Sequence, residues 1–335
     1  MSNAIPAYYY PTTIAIIDDN KRFLSTIGFK LDECFTYRLF DSAEKALDYF
    51  QNEYTFNPIV KRCFTNRQDE TSHLSTHYGL QIDFEAIGKE VMNANRFDEI
   101  AVMMVDYNMP TCNGIEFCKQ MQHLPIKKML VTGAATQAQA VDAFNQGLID
   151  KFILKDTIDF GEQLNRDLTE LRHRYFRDIS EGIIRPLLTE KNSVLNKPAF
   201  ADFFNAFCKQ HDIFEFFLYD AQGSFLLVNV DGEISWLIIK SHADLNGYLD
   251  LAENSDAPAS VLADLKAHTV LPFFPSQQDL NRVRGEKWKD YLHPAQLLAV
   301  DPAFSYAFIQ NKNELLLDYD KIRSYQKHMN RTWPH

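Results

Sequence analysis

Through the first 160 residues, short apolar runs alternate with amphipathic stretches, and the runs stop on residues that carry chemistry. Thr13–Ile17 is rich in β-branched side chains and ends in Asp18-Asp19-Asn20. Phe23, Ile27, Leu31 and Phe35 then recur at helical spacing. A second strand is predicted at 37–40, followed by Asp41/Ser42 as an N-cap and a helix carrying Ala46, Leu47 and Phe50. The fully apolar run 100–105 fits a strand buried on both faces. Helix, strand, helix and strand are predicted in turn at 115–121, 128–131, 137–144 and 152–154. This rhythm predicts an α/β domain with a doubly wound, five-stranded parallel sheet. Ligands of such sheets bind beyond the carboxyl ends of the strands.

Those ends converge here. Asp18 and Asp19 close the first strand, Asp106 the third, Thr132 the fourth and Lys155 the fifth. Any one of them alone is an ordinary loop residue; together they bring three carboxylates, a hydroxyl and an ammonium to one edge. Clustered carboxylates repel one another and suit a hard cation such as Mg²⁺, which takes oxygen ligands and keeps several waters. A carboxylate beside that cation can attack a phosphoryl group, while a lysine and a threonine contact the phosphoryl oxygens. The twelve glycines are never closer than nine positions apart, so neither Gly-x-Gly-x-x-Gly nor a Walker A loop is present. Phosphate, where it is handled, is not held in a glycine cradle.

The region 12–160 resembles the receiver domains of bacterial two-component response regulators. The resemblance rests on Asp18-Asp19, the Asp-x-x-Met-Pro-x-x-x-Gly run from Asp106 through Met109 and Pro110 to Gly114, Thr132, and Phe152-x-x-Lys155. It implies that Asp106 is the phospho-acceptor, charged by a sensor histidine kinase or phosphotransfer protein. It also implies that Asp19, Asp106 and the main-chain oxygen of Asn108 ligate Mg²⁺, with Asp18 acting largely through water. Thr132 and Lys155 are the implied phosphoryl contacts, and Thr132 with Phe152 the implied switch pair. One departure is Asp156, which follows Lys155 where the family usually has proline. The other is a long insertion at 54–97. It contains Cys63, His73 and His77, but Ser72, Ser75 and Thr76 disfavour a helix there and no fourth ligand is evident. A surface excursion with one added helix at 84–92 is the preferred reading over a metal site.

The expected organisation is a receiver over 1–158, a linker helix over 159–180 and an output domain over 181–335. In the helix, Leu164, Leu168, Leu171, Tyr175 and Ile179 form a near-heptad seam. Its first half is expected to cover the sheet; its continuation past Arg172 is equally open to an inter-chain coil, and a homodimer is the expected assembly. The output half has strand-like runs at 214–220, 225–231 and 234–240 joined by Asp-Ala-Gln-Gly and Asp-Gly turns. Helices at 244–253 and 259–267 and a strand at 304–309 make it an α+β domain with a mainly antiparallel sheet.

What the output binds is not announced by a motif. No helix-turn-helix with a basic recognition helix stands out, nor a cyclase run, and His211-Asp212 lacks the companions of a metallohydrolase. A non-catalytic output is expected. The net charge of −11, from 34 basic and 45 acidic residues, argues against a broad surface for nucleic acid or anionic membrane. Two local patches stand against that: Arg282, Arg284, Lys287, Trp288 and Lys289; and Lys321, Arg323, Lys327 and Arg331 interleaved with Tyr325, His328 and Trp333. Basic-aromatic surfaces suit single-stranded nucleic acid or a nucleotide, although nearby acids dilute both patches. Phe203, Phe204, Phe207, Phe214, Phe216 and Phe217 are expected in the core. Five scattered cysteines without a Cys-x-x-Cys pair, no leader pattern in 1–11 and no long apolar run point to a cytoplasmic protein with no membrane contact. The whole layout resembles a group of response regulators with uncharacterised outputs, one serving α-hydroxyketone quorum sensing, which implies density-dependent control of gene expression.

Overall fold

The computed structural model describes residues 5–67, 79–133, 136–190, 193–274, 276–310 and 317–332. Contacts divide the chain into two compact units. One comprises 10–58, 95–180 and the chain from 329; the other comprises the residues up to 9, 59–94 and 181–328. This division differs from the contiguous receiver and output expected above. The insertion and the N-terminal residues group with the output half rather than with the receiver.

In the first unit, five parallel strands run in the spatial order Thr36–Phe40, Thr13–Ile17, Ile100–Asp106, Lys127–Thr132, Lys151–Leu154. Every strand in the sequence prediction is present. The central strand Ile100–Asp106 is buried along its whole length, as its unbroken apolar run requires. Ala15, Ile17, Met103, Val105 and Leu130 pack with Phe40, Phe50, Phe117 and Ala140 into one core. Asn113 caps the helix Gly114–Gln120 in a capping box with Glu116.

The helix foreseen at 159–180 is longer, Phe160–Leu187. Its seam residues Leu164, Leu168, Leu171 and Tyr175 are fully buried and Ile179 nearly so, within this one chain. The near-heptad spacing therefore records a stripe covered by the protein's own core, and the inter-chain coil past Arg172 is not supported.

The second unit is built on a six-stranded antiparallel sheet in the order Tyr8–Tyr9, Ile213–Leu218, Phe225–Asn229, Ile234–Ser241, Phe304–Gln310, Gln296–Leu297. Its edge strand comes from the N-terminus, with Tyr8 opposite Phe217 and Tyr9 stacked on Phe216. On one face, the helix Pro198–Gln210 lays Phe204 against Phe225 and Phe216, ring centroids 4.4 and 5.0 Å away. The phenylalanine runs are thus core, as expected.

The insertion is more than an excursion. It forms a hairpin, Phe64–Arg67 with Gly79–Ile82, and then a helix, Phe84–Lys89, capped by Asp83. That short polar segment cannot close a core of its own. Ile87 and Val91 are fully buried, Glu90 is buried with Arg62 at 2.8 Å, and Arg323 donates to the Ala94 carbonyl at 3.2 Å. Its apolar face is therefore covered by the output half. His73 and His77 lie outside the described residues.

Replacing Phe204 by alanine removes a fully buried ring and should cost about 3–5 kcal/mol. Hydrogen exchange of this variant should show lost protection in 213–241 and in 84–89 together, while 100–106 keep theirs. Protection at 84–89 that instead follows 100–106 would return the insertion helix to the receiver.

Candidate functional site at the carboxyl edge of the parallel sheet

Each candidate side chain reaches the site because its strand ends there. Thr13–Ile17 delivers Asp18 and Asp19, Ile100–Asp106 delivers Asp106, Lys127–Thr132 delivers Thr132, and Lys151–Leu154 delivers Lys155. One carboxylate oxygen from each of Asp18, Asp19 and Asp106 lies within 4.8 Å of the others. Asp18 and Asp106 are buried and Asp19 is exposed.

Lys155 Nζ joins the two buried acids, 2.8 Å from Asp18 Oδ2 and 2.7 Å from Asp106 Oδ1. Burial pushes this ammonium down, but contact with Asp106 and Asp18 outweighs it and the net shift is upward. Burial raises the Asp18 carboxyl above its ordinary range, opposed by Lys155 and by the Asn20 backbone N–H, which donates to Asp18 Oδ1 at 2.8 Å. Asp106 Oδ2 accepts from the Asn108 backbone N–H at 2.9 Å. Both acids therefore hold fixed rotamers.

Thr132 is fully buried, and its hydroxyl shares a hydrogen bond with Thr136 and reaches the Gly133 carbonyl at 3.3 Å. Phe152 is partly buried and packs against the receiver core. No described peptide bond is cis, and Lys155 is anchored by its backbone N–H on the Thr132 carbonyl at 2.9 Å. Asp156 in place of proline thus leaves the lysine in position.

Three participants escaped the sequence reading. Asn20 buttresses Asp18 and caps the helix Lys21–Ile27. Phe23 was read only as part of a helical stripe, yet its ring centroid lies 4.7 Å from Lys155 Nζ, a cation–π distance. Thr136 carried no signal beyond its proximity to Thr132.

Gly114 has a definite reason. A Cβ there would stand 2.3 Å from the Asp106 main-chain oxygen and 2.8 Å from a Leu130 methyl. The loop after Asp106 closes over the strand end only because that position lacks a side chain.

The output patches fare differently. Trp288 is fully buried and donates to Ser255 Oγ at 2.8 Å, and Tyr325 is fully buried and stacks on Phe214. Neither ring is offered for base stacking, and Trp333 lies outside the described residues. Arg282, Lys287 and Lys327 are exposed cations. Arg284 turns one guanidinium nitrogen to the Asn281 and Val283 carbonyls, at 3.1 and 2.6 Å.

An acid cluster bridged by one lysine, with a buried threonine beside it, at the edge of a sheet ordered 2-1-3-4-5, defines a receiver domain of two-component signalling. The family described as response regulator receiver domain matches residues 65–163. The chain belongs to the response regulator family. It is similar to the Legionella pneumophila response regulator LqsR over 98% of this chain and 97% of that one, with 32% identity and a TM-score of 0.80. A Clostridium thermocellum receiver-domain protein (15% identity, covering 50% of this chain and 95% of that one) aligns with a TM-score of only 0.31. An uncharacterised Neptuniibacter caesariensis protein (17%, 51% and 93%) reaches 0.35. No curated protein matches the chain. No helix among the described residues is long and apolar enough to cross a membrane.

Substituting alanine for Gly114 forces its Cβ against the Asp106 carbonyl and should cost about 1–3 kcal/mol through overpacking. Chemical denaturation should show this loss. Wild-type stability in the variant would mean that the loop rearranges freely.

Proposed function

We propose that the protein is a phosphorylation-switched regulator in which Asp106 accepts a phosphoryl group from a sensor histidine kinase or phosphotransfer protein. The observation carrying this reading is the Lys155 ammonium within 2.8 Å of both Asp18 and Asp106, beside a third carboxylate. A carboxylate oxygen of Asp106 attacks phosphorus, the donor's bond to phosphorus breaks, and the donor's leaving group departs with that electron pair. The product is an acyl phosphate on Asp106. Lys155 then has a phosphoryl oxygen to contact, and the Thr132 hydroxyl can exchange its Thr136 partner for another such oxygen. That movement frees volume beside Thr132 into which Phe152 can turn.

The donor set suits Mg²⁺: hard carboxylate oxygens, one ammonium that balances only part of their charge, and Asp19 open to solvent. Asp19, Asp106 and the Asn108 main-chain oxygen would hold the cation, with Asp18 behind them. When bound, it neutralises charge on the incoming phosphoryl group.

The output is read as non-catalytic. The change at Thr132 and Phe152 is passed on by altered receiver conformation and self-association, and by the helix Phe160–Leu187, which carries the chain from one unit into the other without a break. The resemblance of the layout to the α-hydroxyketone quorum-sensing group, together with near-complete coverage of LqsR, supports a role in density-dependent control of gene expression. A direct nucleic-acid output through the Arg282–Lys287 and Lys327 patches is the less favoured reading, because Trp288 and Tyr325, the rings set among these cations, are buried.

Incubation with acetyl phosphate and Mg²⁺ should place a base-labile, hydroxylamine-sensitive phosphoryl group on the wild type. Asp106→Asn should reduce incorporation to background, and chelation should do the same to the wild type. Continued labelling of Asp106→Asn at the wild-type level would overturn the acceptor. Light scattering of the confirmed phospho-protein should show a change in mass or shape, and an unchanged profile would reject coupling through self-association.

A further inference from the structure

The output unit contains a cavity of about 500 Å³ that the phosphorylation chemistry does not use. Small-molecule sites commonly span about 300–1,000 Å³ and combine an apolar lining with a few fixed polar groups. Its floor is one face of the antiparallel sheet. Leu226 lies directly opposite Trp236 across paired strands, and Lys240 is four residues beyond Trp236, on the same face. Tyr219, Trp236 and Phe273 pack as a cluster with centroids 4.9–5.7 Å apart, and Phe274 stacks near Tyr248. One wall is the insertion helix, which contributes Phe84, Glu85, Gly88 and Lys89, and another carries Ser276, Gln277 and Leu280.

The charges at this cavity are matched. Asp220 Oδ2 and Lys240 Nζ pair at 2.9 Å, while Asp220 Oδ1 accepts the backbone N–H groups of Gln222, Gly223 and Ser224. Burial disfavours both charges, yet their mutual attraction and those N–H groups hold the Asp220 carboxyl below and the Lys240 ammonium above their ordinary values. At the rim, Lys89 pairs with Glu85. Among the described residues, no unbalanced cation lines the cavity to meet a phosphate or carboxylate.

Hydrogen-bond donors are left over. Asp220 occupies one of three Lys240 protons, and the buried Trp236 indole N–H has no hydrogen-bond partner among the described residues. A buried donor without an acceptor is costly, about 1–3 kcal/mol, so an aromatic cavity lined by such residues is suited to acceptors brought from outside.

We propose that this cavity is a binding site for a neutral, planar aromatic or heteroaromatic molecule bearing carbonyl-type acceptors, its ring among Tyr219, Trp236 and Phe273 and its acceptor toward Lys240. The insertion within the receiver sequence then has a role: its helix forms one wall of an effector site in the output. Ligand binding and phosphorylation become two inputs to one regulator, and the binding site stands independently of the Asp106 assignment.

The test uses full-length protein and three probes followed by saturation-transfer NMR and Trp fluorescence. The probes are 4-quinolone, its 3-carboxylate, and the flexible ketone 2-octanone. 4-Quinolone should bind at least tenfold more tightly than either of the others. Gly88→Leu fills the cavity from the insertion helix, and a Cβ at Gly88 meets nothing within 4 Å, so this variant should remain folded. It should weaken 4-quinolone at least tenfold while leaving acetyl-phosphate labelling of Asp106 unchanged. Lys240→Met, which removes the donor, should weaken it similarly. Absence of 4-quinolone binding up to its solubility limit, preference for the carboxylate or the aliphatic ketone, or undiminished binding in a folded Gly88→Leu would each overturn the proposal.

Discussion

The receiver half depends on the Lys155 ammonium set between Asp18 and Asp106. Three carboxylates within 4.8 Å of one another repel strongly where water is partly excluded. A single cation contacting two of them makes the cluster tolerable in the folded chain. The arrangement requires the first, third and fifth strands of the domain to end at a common level, which parallel pairing enforces: Ile17 sits beside Val105, Asp106 beside Val131 and Thr132 beside Leu154. Register is thus a functional quantity here, since a slip of one residue would turn Asp106 to the opposite face. The closeness of Gly114 to the Asp106 carbonyl belongs to the same constraint, because the loop folds back against the strand end that presents the acid.

This part of the molecule was legible because its signals are local and repeat. A buried parallel strand reads as an apolar run, and the residue that ends the run is the one delivered to the edge. Asp18, Asp106, Thr132 and Lys155 could all be placed that way. Phe23 could not, because its helical spacing reports only that it faces inward; that it faces Lys155 depends on how the helix Lys21–Ile27 lies across the sheet. Heptad spacing in the long helix had the same ambiguity. It says that Leu164, Leu168, Leu171 and Tyr175 share a stripe, and both a second chain and the chain's own core satisfy that stripe equally well.

The basic-aromatic runs misled for a related reason. Adjacency in sequence placed Trp288 among Arg284, Lys287 and Lys289, but Gly285–Tyr291 is a helical turn that sends the indole inward to Ser255 and the cations outward. Composition alone cannot separate a surface that stacks bases from an amphipathic turn whose ring anchors it. The charge pair Asp220–Lys240 was invisible for the opposite reason, being twenty residues apart on neighbouring elements with no motif to join them.

Domain boundaries were least legible because the two units are interleaved along the chain. The sequence passes from one to the other at residues 9–10, 58–59, 94–95, 180–181 and 328–329. Tyr8–Tyr9 can pair only once Ile213–Leu218 exists, more than 200 residues later in synthesis, and Phe84–Lys89 must await the same partner. Loop-closure entropy makes such distant pairings slow. The parallel sheet closes over shorter separations, so the output half is the part whose completion waits on the whole chain. Interleaving has a mechanical counterpart: the insertion returns to the receiver at residue 95, five residues before the strand that carries Asp106 begins. A change in how firmly the insertion is held in the output is therefore joined by a short covalent path to the strand that presents Asp106.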